Sequence, residues 1–134
     1  MVINSGLDGQ LVLDGLSQGV LIFDSSNQLV TENSAARAIL GADIRLLRAE
    51  GWLAAAVLFN SRISDPSEMV EAARARALNS DEPVRFHMYR MGERVPCWIT
   101  ALHTRMDVYT MVTMELPDWS AVAELVEKYT EEVR

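Results

Sequence analysis

Lysine is nearly missing from this chain. Of its 12 basic residues 11 are arginine, and the first 36 positions carry neither type. A secretory leader begins with positive charge ahead of its apolar core, so this start does not read as one. Cysteine is reduced to Cys97 alone, which excludes an internal disulfide and any zinc site built on several thiolates. Long apolar runs are lacking too. The longest, Trp52 to Phe59, has eight residues, against about 20 for a membrane-spanning helix. Positive charge is in deficit overall, with 19 acids against 12 bases and a net charge of −7. Nucleic acids and anionic membranes are held mainly by cations, so neither is expected as a partner. What remains is ordinary globular composition, 49% hydrophobic and 23% charged over 134 residues, enough for one cytoplasmic domain with a real core.

The hydrophobic pattern divides the chain into recognisable elements. Leu7, Leu11, Leu13 and Leu16 mark a short helix. Val20-Leu21-Ile22-Phe23 reads as a strand, Asp24-Ser25-Ser26-Asn27 as a turn and 28–32 as the returning strand. Asn33 is placed to cap a helix through Leu40, which Gly41 ends, and Asp43 to cap the next through Ala49. Gly51 interrupts, and Trp52 to Phe59 resumes as helix. Asp65-Pro66 predicts the start of a helix reaching Leu78, with Met69, Ala73 and Ala77 on one side and Glu71 paired with Arg74 on the other. Val84, Phe86 and Met88 then alternate with Arg85, His87 and Tyr89, the period of a strand. Strands are expected at 19–24, 28–32, 83–90, 94–106 and 108–116. Together they predict an α+β fold, a five-stranded antiparallel sheet with its helices gathered on one face, followed by a last helix from Trp119.

Few residues carry chemistry. Gly15-Leu16-Ser17-Gln18-Gly19 spells a nucleophile elbow. That elbow needs a strand before the serine and a helix after it, and here the order is reversed. Cys97 lies mid-strand beside Trp98 and reads as structural. His87 and His103 also fall on strands and form no metal-binding pair. Five of the seven methionines lie between 88 and 114, suited to packing a core or lining an adaptable apolar cavity.

In order, the pieces resemble a PAS domain. Gly19-Val20-Leu21-Ile22-Phe23-Asp24 is similar to that family's first strand. Leu29 to Ala36 resembles its second strand running into an Asn-x-Ala-Ala helix start, and Leu40-Gly41 the end of that helix. The likeness spans roughly residues 10 to 118. It departs at Glu115-Leu116-Pro117-Asp118, where the family often carries an Asp-Ile-Thr signature. The resemblance implies a N-terminal helical cap over 1–17, a PAS-like domain over 18–117, and a signalling helix over 118–134 that leads to an output domain outside this chain. It implies no catalysis. Covalent flavin chemistry in the family uses an Asn-Cys-Arg-Phe-Leu-Gln helix, absent here. Haem binding uses a histidine on the helix before the third strand, also absent, so the cofactor is left unknown.

The expected function is a sensory and dimerisation module of a signal-transduction protein such as a sensor histidine kinase, holding a small apolar ligand or none. Its pocket is expected at Ile22, Ile39, Met69, Ala73, Phe86, Met88, Trp98 and Met111. A homodimer is expected through Leu7 and Leu11 and through a heptad seam at Trp119, Val122, Val126, Tyr129 and Val133. The alternative is a small α+β barrel enzyme of isomerase or dehydratase type, with His103 and Tyr109 as acid and base. A barrel of that kind begins with long helices before its sheet, whereas this sequence places a hairpin early, at Val20 to Glu32.

Overall fold

The computed structural model describes residues 9–60, 69–90 and 93–115. Five strands form one sheet: β1 (Gly19–Phe23), β2 (Leu29–Glu32), β3 (Val84–Arg90), β4 (Glu93–His103) and β5 (Val108–Met114). All pairs are antiparallel and the spatial order is β2-β1-β5-β4-β3. The hairpin β1–β2 therefore joins the sheet through β5, last in sequence. Asp24 shapes the turn between them. Its Oδ1 accepts from the amides of Ser26 and Gln28, and Asn27 takes a left-handed φ of 66°. The strand β4 is shorter than the expected 94–106. It stops at His103 because Thr104 folds a tight turn onto Asp107.

The helices are α1 (Gly9–Asp14), α2 (Ser34–Leu40), α3 (Ile44–Glu50), α4 (Trp52–Asn60) and α5 (Val70–Ser80). Asn33 caps α2 as expected, its side chain accepting from the Ala36 amide. Asp43 caps nothing with its side chain. It closes a 3₁₀ turn over Gly41–Asp43 and its backbone is already helical. The helix expected from Asp65-Pro66 instead begins at Val70, because Met69 is extended. Its cap comes from a distance: Asn60 Oδ1, at the end of α4, accepts from the Val70 amide at 2.9 Å. Asp65 and Pro66 lie outside the described residues.

The core lies between the helices and one face of the sheet. Leu21, Phe23, Phe86, Met88, Val95, Cys97, Ile99, Val112 and Met114 come from the sheet. Leu40, Leu47, Trp52, Phe59, Val70, Ala73 and Ala77 meet them from the helices. Phe23 stands edge-on to Trp52 at 5.3 Å, and Phe59 to Phe86 at 5.5 Å, contacts that add about 1 kcal/mol each beyond burial. Among the described residues, no helix is long and apolar enough to cross a membrane.

Candidate functional site: the sheet–helix interface and the Arg74 junction

Alternation along β1, β4 and β5 divides the expected pocket residues. Phe86, Met88 and Ala73 are buried in the core, Ile39 packs against it, and Met69 is half-buried where α5 begins. Ile22, Trp98 and Met111 are on the other side of the sheet. Ile22 pairs with Met111 and Met111 with Thr100, while Trp98 stands opposite Arg85. Arg85 lies over the Trp98 ring there, 5.7 Å from its centroid. In each strand it is the neighbouring residue, Leu21, Cys97 or Val112, that faces the helices. The pocket assignment is corrected accordingly: these three side chains do not converge with the other five.

The barrel reading fails on the same geometry. His103 is exposed and bonds Asp81 at 2.6 Å. Tyr109 stands on the face opposite the core, so the two cannot work on one buried substrate. Cys97 is fully buried, and desolvation pushes its thiol up to about 12, which keeps it protonated and inert. Among the described residues no His, Cys, Asp and Glu group could hold a metal ion. Of the expected dimerisation residues, Leu11 is 54% exposed. Leu7, Trp119, Val122, Val126, Tyr129 and Val133 lie outside the described residues.

Two polar junctions cross between the layers. Asn33 has no exposed surface. Its Oδ1 accepts from the amides of Val20 and Ala36, and its Nδ2 donates to the carbonyls of Leu13 and Gln18. One side chain thus ties α1, β1 and α2 together.

The second junction centres on Arg74 of α5, expected to pair with Glu71. Its guanidinium lies 4.5 Å over the Trp52 ring. Its Nε donates to Thr110 Oγ1 on β5 at 3.2 Å and its Nη2 to Asn27 Oδ1 in the hairpin turn at 2.6 Å. Burial lowers the Arg74 pKa, and Glu71 opposes this only through space. No sequence signal points to this cluster, because its four members lie on four separate elements.

Beside it opens a cleft of about 630 Å³, between the hairpin turn (26–29) and the α3–α4 corner (48–53). Gly51 makes that corner possible. Its φ is +63°, and a Cβ there would sit 2.1 Å from the Asn27 carbonyl oxygen. The Trp52 amide donates to that same oxygen at 2.8 Å.

No family model matches the sequence, and no curated protein matches it. Solved structures do. The PAS domain of nitrogen regulation protein NR(II) from Vibrio parahaemolyticus aligns with a TM-score of 0.56 at 12% identity, over 81% of this chain and 96% of that one. The PAS domain from Bordetella pertussis BvgS aligns at 0.53 and 12% identity, over 92% of this chain and 94% of that one. A domain of a sensory box sensor histidine kinase/response regulator from Geobacter sulfurreducens gives 0.53 and 16%, over 79% and 89%. Identities this low speak for architecture alone, and with the early β1–β2 hairpin and the β2-β1-β5-β4-β3 sheet they establish that this chain has the PAS fold.

Proposed function

We propose that the chain is a cytoplasmic sensory and dimerisation module of a signal-transduction protein, without catalysis of its own. The observation that carries this reading is the shared architecture with a PAS domain from a two-component sensor histidine kinase and with a domain of a sensory box sensor histidine kinase/response regulator, over 90% and 89% of their lengths. On this reading residues 18–117 form the sensor, 1–17 a cap, and 118–134 a connector to an output domain outside this chain. A small apolar ligand, if one binds, sits among Phe86, Met88, Ala73, Ile39 and Met69, where the sheet meets α5 and α2. That interface offers few polar atoms, so shape and burial select the ligand. A change there shifts the sheet, and the sheet biases how two copies of the C-terminal segment pair.

The seam at Trp119, Val122, Val126, Tyr129 and Val133 supports a homodimer, because burying a large apolar side chain contributes about 1.5–3 kcal/mol. Sedimentation of the whole chain tests the reading. Val126→Glu with Tyr129→Glu should turn dimer into monomer while circular dichroism stays unchanged. A wild-type chain that is monomeric at high micromolar concentration would remove the dimerisation role. Mass analysis of the purified protein reads the ligand directly, as a co-purified small molecule.

A further inference from the structure

We draw no further inference here: the strongest candidate, the half-buried apolar patch of Ile22, Trp98, Leu102, Tyr109 and Met111 on the side of the sheet away from the core, carries nothing because nothing in the structure shows what covers it.

Discussion

Asn33 spends every hydrogen-bonding group of its side chain in a fully buried place. Removing it strands the buried Val20 and Ala36 amides, and each buried orphan costs about 1–3 kcal/mol. Asn33→Ala should therefore lower stability by about 3 kcal/mol or more, read as a fall in the urea midpoint with an unchanged slope. Gly51→Ala should be damaging for a different reason, the collision of a new Cβ with the Asn27 carbonyl. We expect a loss of about 2 kcal/mol or more, with the cleft-lining amides shifted most. Cys97 gives a probe rather than a weakness. With its thiol held near 12 and no exposed surface, alkylation at pH 8 should proceed only through unfolding. Fast labelling of the folded protein would contradict the burial.

At the scale of elements, an ionic knot on Glu32 joins β2 to α2 and α3. The Arg48 hydrogen bond, aided by Arg37, holds the Glu32 carboxyl below its ordinary value. A depressed carboxylate pKa adds stability above the unfolded value, and that stability fades as pH falls through the lower folded one. Glu32→Gln should flatten this part of the stability curve below about pH 4.5, the ordinary value. Asn60→Ala should cost about 1 kcal/mol by uncapping α5 across the 61–68 segment. The elements themselves were readable: the period-two strands, the hairpin at Asp24 to Asn27, and the Asn33 cap all lie where local chemistry puts them. The start of α5 was hidden, because its cap is ten positions upstream in sequence. Facing was hidden too. Alternation says which residues share a side, and both sides of β4 and β5 carry apolar groups, so Trp98 and Met111 competed with Cys97 and Val112 on equal terms.

For the whole molecule, what was legible followed from element order, and what was not followed from contact between distant parts. The five strands and the one-sided helical layer come from pattern alone. The cluster of Asn27, Trp52, Arg74 and Thr110 exists only once a turn, two helices and a strand are assembled. The same assembly has a consequence in time. β1 finds its partner in β5, the first strand pairing with the last of the described residues and Gly19 standing opposite Met114. During synthesis the first hairpin must wait, with one edge open, until almost the entire domain has left the ribosome. Non-local pairing of this kind makes folding slow relative to stability. Nascent chains ending before Val108 should thus be protease-sensitive throughout, and resistance should appear in a single step once residue 114 has emerged with room to fold. The order in which the ribosome releases this protein, then, is not the order in which it can become a solid object.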